Sequence, residues 1–423
     1  MEKARTVLVT DADRGSAVVI IRSLGRQGYR VIAADSTPRS VGFHSRYALE
    51  KLVYPDPATE PDHFVELLHR AVVERGVDLV IPVTDEVIHP LVRSRERFEA
   101  VCRLAIPETA ALERVTDKSK TLALAQALGV PVPHTRVVRT IEEARQAAKE
   151  MAWPLVLKPA VSRLYIPERG IVEKFSVSYA DSVDSLAERM APLAGRQSVL
   201  LQEYCPGVGE GVELLAFEGR PIAAFQHRRL AEVPLTGGVS AWRESVPLHP
   251  EMVAHSSRIV KALRWTGLIM VEFKVGDQIR LMEVNGRIWG SLPLAVLSGM
   301  DFPAKLAALY LNGPPQEMPA APDALVSDYR LGVRAFNLGL TLNWIVRVLT
   351  RRSAFPFLPL PQRRRVFAAL AGLLSPRQKL DLSSLDDPKP AIRELLKIVR
   401  KSTGKAMSAG RTDGEQGDGE HRG

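Results

Sequence analysis

Scarcity is informative in this chain of 423 residues. Cysteine occurs only at Cys102 and Cys205, far apart, so neither a disulfide framework nor a thiolate metal knuckle is expected, and the usage fits a reducing compartment. No apolar run approaches the roughly 18 residues of a membrane span, and the opening MEKARTVLVTDADRG lacks an apolar leader core. These absences lead to the expectation of a soluble cytoplasmic protein. Glycine is missing where a dinucleotide would need it. The turn Thr10-Asp11-Ala12-Asp13-Arg14-Gly15 has one glycine instead of the G-x-G-x-x-G that lets backbone approach a pyrophosphate. Asp35 stands where a ribose-binding acid would, but an acid at a strand end also serves as a cap, so nicotinamide chemistry is disfavoured. No internal repeat is visible.

What is present is ordinary for globular proteins: 46% hydrophobic and 25% charged residues, which excludes a wholly disordered chain. The net charge of +9 suggests an anionic partner. Most of that charge lies late in the chain, because residues 316–423 hold 18 Lys+Arg and 11 Asp+Glu. Eight arginines and one acid fall within 328–365, around the apolar stretch Trp344-Ile345-Val346-Arg347-Val348-Leu349. This segment offers peripheral contact with an anionic membrane, or nucleic-acid binding, as an alternative function. It lacks interleaved aromatic platforms and any nucleic-acid motif, so a helix packed on a larger body is the simpler account and no nucleic acid is expected.

The pattern divides the chain. Val7-Leu8-Val9, a helical stretch to Gln27, and Tyr29 to Asp35 read as strand, helix, strand, the opening of a doubly wound parallel sheet. A helix opens at Thr116-Asp117-Lys118 and ends at Gly129. Later come a strand ending in Lys158-Pro159, a strand over 198–204, a hairpin turning at Glu218-Gly219, and a hairpin over 267–284 turning at Gly276-Asp277. The expected α/β architecture is a parallel-sheet domain over 1–112, a two-lobed α+β body over 113–315, a mainly helical basic extension over 316–403 and a disordered tail over 404–423.

Chemistry concentrates on the last hairpin. Glu272 lies among apolar Met270, Val271 and Phe273, and Glu283 and Asn285 share one strand face by the two-residue period. Three oxygen ligands converging there suit Mg2+ beside phosphates, and Arg287 on the same face suits a phosphate oxygen. A solvated strand face explains Glu283 and Asn285 equally well but accounts poorly for Glu272. Lys158 at its strand end either reaches a phosphate or snorkels from a sheet edge. Lys118 in a helix's first turn is less distinctive. Glu203-Tyr204-Cys205-Pro206-Gly207 leaves a strand in a way that can offer backbone groups to an adenine edge, with Glu210 placed for ribose hydroxyls. A surface loop is the other account.

In order, Thr116-Asp117-Lys118, Leu155-Val156-Leu157-Lys158-Pro159, Gln202-Glu203-Tyr204, Val271-Glu272-Phe273 and Met282-Glu283-Val284-Asn285-Gly286-Arg287 resemble the ATP-grasp superfamily. The resemblance is closest to carbamoyl phosphate synthase large-subunit halves and stand-alone carboxylate–amine ligases, and covers about residues 1–315. It implies a pre-ATP-grasp domain followed by an ATP-grasp body. It assigns Lys118 and Lys158 to the ATP phosphates, Glu203 and Tyr204 to adenine, and Glu210 to ribose. Glu272, Glu283 and Asn285 would hold two Mg2+ ions, for which Mn2+ can substitute, and Arg287 would lie beside the transferred phosphate. Two departures stand out. Asn-Gly-Arg replaces the frequent Asn-Pro-Arg, and the usually glycine-rich loop after Lys158 has only Gly170 among residues 160–170, with Arg163 and Arg169 as charged replacements.

The implied reaction forms an acyl phosphate from a small carboxylate and passes it to an amine, or less readily a thiol. It needs no Ser, Cys or His nucleophile, in keeping with the absence of a nucleophile elbow. Between the ribose acid and the hairpin, Arg228 and Arg229 are candidates to grip the carboxylate, and Thr236, Gly237 and Gly238 to supply backbone donors. A solvated hairpin and its turn is the competing account. Oligomeric state is left open, with a homodimer compatible.

Overall fold

The structure, a computed structural model, describes residues 4–161, 163–166, 171–319, 325–351, 353–373, 375 and 378–412. Its first sheet contains β1 (Thr6–Val9), β2 (Arg30–Asp35), β3 (Ala48–Val53), β4 (Leu79–Ile81) and β5 (Arg103–Leu104). All neighbours are parallel, in the order β3-β2-β1-β4-β5. The short apolar runs suit burial on both faces. Leu8, Ile32 and Val80 enter one core with Leu68, while Val7, Val9 and Val31 enter another with Ile20 and Leu24. The chain winds from β1 outward to β2 and β3, then returns to β4 on β1's other side. A crevice therefore opens at the carboxyl ends of β1 and β4.

The next sheet, antiparallel in the order β10-β7-β11-β6, uses β6 (Thr135–Val138), β7 (Leu155–Pro159), β10 (Ser178–Ala180) and β11 (Val199–Glu203). Helices Ile141–Ala148 and Val183–Met190 cover it with Ala144, Ala148, Leu186 and Met190. Between β7 and β10, β8 (Arg163–Ile166) and β9 (Ile171–Lys174) form a small antiparallel hairpin.

The third sheet carries β12 (Val208–Phe217), β13 (Arg220–Val233), β14 (Val239–Ser245), β15 (Gly267–Val275), β16 (Ile279–Asn285), β17 (Arg334–Phe336) and β18 (Gln378–Leu380). Their order is β16-β15-β12-β13-β14-β17-β18. The region expected as a mainly helical extension adds the last two strands to the body sheet. Three-residue strands are too short to display a period of two, so their pattern is lost among the helical residues around them. Helix Leu338–Thr350 turns Trp344 and Val348 onto Ala231, Ala241 and Trp242, which takes the Trp344 face away from any membrane surface. Neighbouring arginines have local partners: Arg334 pairs with Glu244 at 2.8 Å, and Arg330 donates to the Leu297 carbonyl. Helix Lys389–Thr412 runs past residue 404, so the expected tail is helical to Thr412; residues 413–423 lie outside the described residues. Among the described residues no single helix is long and apolar enough to cross a membrane.

After β18 the chain returns to the first domain. Arg22 donates to the Asp387 carboxylate at 2.8 Å, to the Asp387 carbonyl at 2.6 Å and to the Leu382 carbonyl at 3.0 Å. Ser45 and the Arg46 amide also donate to the Asp387 carboxylate, and Leu382 packs on Val18 and Val41. One residue beyond β18, Asp381 pairs with buried Arg243 of β14 at 2.6 Å. The segment thus fastens the first domain to the body sheet. Removing one member of a buried pair strands the other charge. Asp387→Ala is therefore expected to cost about 3–5 kcal/mol in urea unfolding. Asp386→Ala, which breaks the exposed pair with Arg26, should cost less than about 1 kcal/mol.

Candidate active site

The β15–β16 hairpin sets the geometry. Glu272 and Glu283 are register partners and Asn285 pairs with Met270, so the three polar side chains emerge on one face. Two carboxylates directly across a ladder, with Cβ atoms about 4.5–5.5 Å apart, repel one another. Other elements supply the opposing charge. Arg229 of β13 reaches Glu272 at 2.6 Å and Glu232 at 3.0 Å, and Lys274 approaches Glu232 at 3.4 Å. Asn285 donates its amide N–H to Glu272 at 2.9 Å, which leaves its carbonyl oxygen on the same face as the two acids. Lys118 lies 3.2 Å from Glu283.

Lys118 is placed by its helix start. The Asp117 carboxylate caps the helix Lys118–Ala127 by accepting from the Ser119 and Lys120 amides, and the Lys118 amide donates to the Ala160 carbonyl at the end of β7. Lys158 rises from β7 toward the same centre. Burial pushes its ammonium down to about 8, against the attraction of Glu283. Burial alone would push the Glu283 carboxyl up; Lys118 and Lys158 outweigh it and hold that carboxyl below its ordinary value.

Lys158, Arg229, Glu232, Glu272, Lys274, Glu283 and Asn285 line a cavity of about 340 Å³, which Lys118 meets only through Glu283. Val156, Tyr179, Tyr204, Phe273 and Met282 give the same cavity apolar walls, a setting suited to a planar ring. Glu203 and Tyr204 do line it, but their amides already donate to the His134 and Pro154 carbonyls, so these two N–H groups are not available to an adenine. The Glu203 carboxylate accepts from His134 and from the Ala152 amide. Thr236, Gly237 and Gly238 also border the cavity, and their loop is held by Tyr179 donating to the Thr236 carbonyl and Arg229 to that of Gly238.

Three expectations change. Glu210 is buried and accepts from Gln226 and Arg228 at 2.7 and 2.8 Å, whereas its neighbour Gly209 borders the cavity, as does Glu232. Arg228 is committed to Glu210 and does not line the cavity. Arg229 does line it, but as the counter-ion of Glu272 and Glu232 rather than as a free substrate grip. Of the loop after Lys158, Arg169 and Gly170 lie outside the described residues, and Arg163 is described only as backbone of β8.

A second cavity, about 440 Å³, lies between the first domain and the body and shares Glu283, Asn285 and Arg287 with the first. Arg287 stands 3.4 Å from Asp85, a residue of the first domain. Asp85 escapes sequence reading because an acid in the first turn of a helix is fully explained by the helix dipole. Gly286 between Asn285 and Arg287 is dictated by packing: a Cβ there would lie 2.5 Å from the Trp265 ring, so no residue carrying a Cβ, proline included, fits beneath the indole.

Known proteins resemble this chain over much of its length. Residues 196–330 match a family described as ATP-grasp in the biosynthetic pathway with Ter operon. The chain is 27% identical over 312 residues to the carbamoyl phosphate synthase large chain of Thermus thermophilus. This chain carries an ATP-grasp domain. That alignment takes in 70% of this chain and 28% of the relative, so the chain spans less than a third of the length of that relative. Among solved ATP-grasp structures, it resembles the biotin carboxylase domain of Hydrogenobacter thermophilus 2-oxoglutarate carboxylase, solved with ADP, magnesium and bicarbonate. The TM-score is 0.58 at 18% identity, over 79% of this chain and 74% of the other. It also resembles an L-amino acid ligase from Bacillus licheniformis, with a TM-score of 0.57 at 16% identity, over 74% and 75% of the two chains. These likenesses establish the ATP-grasp fold.

The ion network around Glu272 makes a structural demand of its own. Arg229→Met leaves Glu272 and Glu232 without their shared counter-ion and is expected to destabilise by about 3–5 kcal/mol. Arg228→Met, which alters a half-exposed side chain, should lose clearly less; denaturant midpoints of the two neighbours decide it.

Proposed function

We propose that the chain is an ATP-dependent ligase that activates a carboxylate as an acyl phosphate and passes it to an amine, releasing ADP and phosphate. The observation that carries this reading is the convergence of Glu272, Glu283 and Asn285 with Lys158 and Arg287 on one cavity with apolar walls, with Lys118 joined to it through its pair with Glu283. Among the described residues no three His, Cys, Asp or Glu side chains form a metal cluster. A donor set of two carboxylates and one amide oxygen nevertheless fits Mg2+, which commonly takes one or two carboxylates and completes its shell with phosphate oxygens and water. Bound there, one or two Mg2+ ions, or Mn2+, would offset the charge of the phosphates.

The chain's own residues account for the remaining work. The apolar walls hold the base of ATP beside Tyr204, and Glu232 is the acid best placed for its ribose. Lys158 and Lys118 attract the phosphates and fix their position, which is most of what phosphoryl transfer asks of a protein. Glu272, Glu283 and Asn285 hold the metal. Arg287, at the junction of the two cavities, balances charge that develops on the transferred group and orients the carboxylate that attacks it. No side-chain nucleophile is required.

Glu283→Gln should lower ATP turnover by at least about 100-fold, because loss even of groups that only orient metal ligands costs 10–100-fold. Its far-UV circular dichroism should match the wild type. Turnover at the wild-type rate would remove the site assignment. Lys158 gives a pH test. Its ammonium carries charge below about 8 and loses it above, so the KM for ATP should rise as pH climbs through that value. Lys158→Arg keeps its charge throughout and should show a flat profile. A wild-type KM that stays constant from about pH 7 to about pH 9.5 would contradict the role given to Lys158.

A further inference from the structure

The second cavity is built where the winding of the first sheet reverses. Arg14 and Ser16 follow β1, Val83 to Glu86 follow β4, and these neighbouring strands place both loops on one crevice. Asp11 braces it. The Asp11 carboxylate accepts from the Thr84 hydroxyl at 2.8 Å and the Thr84 amide at 3.2 Å, joining the two loops at the start of helix Asp85–Arg93. His89, three and four residues beyond Glu86 and Asp85, comes to the same helix face and also lines the cavity. Across from this wall are Glu283, Asn285 and Arg287, the groups that border the phosphate end of the first cavity. Lys118 is engaged with Glu283 and Arg287 with Asp85. The two cavities therefore meet at Glu283, Asn285 and Arg287, and the first-domain wall of the crevice carries two carboxylates, one imidazole and, on the β1 loop, one guanidinium.

We infer that this crevice is the acceptor site of the ligase reading, on which the inference rests, and that it takes an amino acid, ammonium toward Asp85 and Glu86, anionic group toward Arg14, with His89 as proton acceptor. The two acids attract a cationic amine to a place from which it can reach an acyl group held at Arg287, and Arg14 selects acceptors that carry an anionic group. An ammonium has no lone pair and must lose a proton before it attacks. Burial keeps the His89 imidazole below its ordinary value against the pull of Asp85, so it is neutral and able to take that proton near neutral pH. In the transfer, the amine nitrogen forms a bond to the acyl carbon and the bond from that carbon to the phosphate oxygen breaks. Of the two protons the ammonium loses, one passes to His89 and on to solvent, and one leaves on the phosphate.

The full-length protein with MgATP and a pool of small mono- and dicarboxylic acids is first given hydroxylamine, an uncharged nucleophile that converts an acyl phosphate to a hydroxamate. Absence of hydroxamate with every acid would overturn the ligase reading itself. With hydroxamate forming, ethylamine and the twenty amino acids are then added singly as competitors, and at least one amino acid should divert the acyl group far better than ethylamine. For that amino acid, Glu86→Gln and Arg14→Ala should each raise KM by about tenfold or more, the loss expected when a charged group loses its partner, while the KM for ATP moves less than about twofold. His89→Gln should lower kcat with the amino acid by about 100-fold, against a much smaller change with hydroxylamine. Hydroxamate formation with no amino acid preferred over ethylamine, or an acceptor KM unchanged in both Glu86→Gln and Arg14→Ala, would overturn the acceptor site and leave the ligase reading standing.

Discussion

Two carboxylates facing each other across one hairpin are the constraint around which this protein is arranged. Alone, Glu272 and Glu283 would weaken the ladder that carries them. Their neutralising charges come from three different places: Arg229 from the same sheet, Lys118 from the helix that begins the body, and Lys158 from the separate four-stranded sheet. The carboxylates thus organise the junction of the lobes, because Lys158 of the four-stranded sheet meets Glu283 only when the lobes are together. Such a centre is stable yet incompletely matched in charge, which is what a site for a divalent ion and a polyphosphate requires.

Much of this was legible in the sequence, and for identifiable reasons. The β15–β16 hairpin was readable nearly to the residue because Glu272 interrupts an apolar run that nothing but a local partner could tolerate. Asp117 announced the helix that positions Lys118 through ordinary capping chemistry. Arg228 and Arg229 were less tractable. Adjacent residues of a strand point to opposite faces, and β13 is irregular between Arg229 and Ala231, so the pattern gives no means of telling which arginine is internal. Glu210 fails in the same way, one position away from the face that Gly209 presents. Asp85 was hidden by an adequate local explanation, and β17 and β18 by their length.

The first domain illustrates how a fold outlives one use and serves another. Its sheet has the winding and crevice of a nucleotide-binding domain but lacks the glycines for pyrophosphate. The crevice has not been filled by side chains. It faces the body, and Asp11 holds its two loops together through Thr84. The same position in the fold therefore becomes a wall of a shared chamber, lined by side chains such as Asp85, Glu86 and His89.

The returning segment gives the molecule a further property. The first domain is joined to the body through the residues after β5, through a shared apolar core in which Ile20, Leu24 and Ile81 meet Phe225, Leu268 and Phe302, and again through Arg22 on Asp387, next to Arg243 on Asp381. In mechanical terms the chain is a closed linkage rather than a string of beads. The wall of the chamber that carries Asp85 is therefore held against the body in part by the far end of the polypeptide, through residues that touch neither cavity.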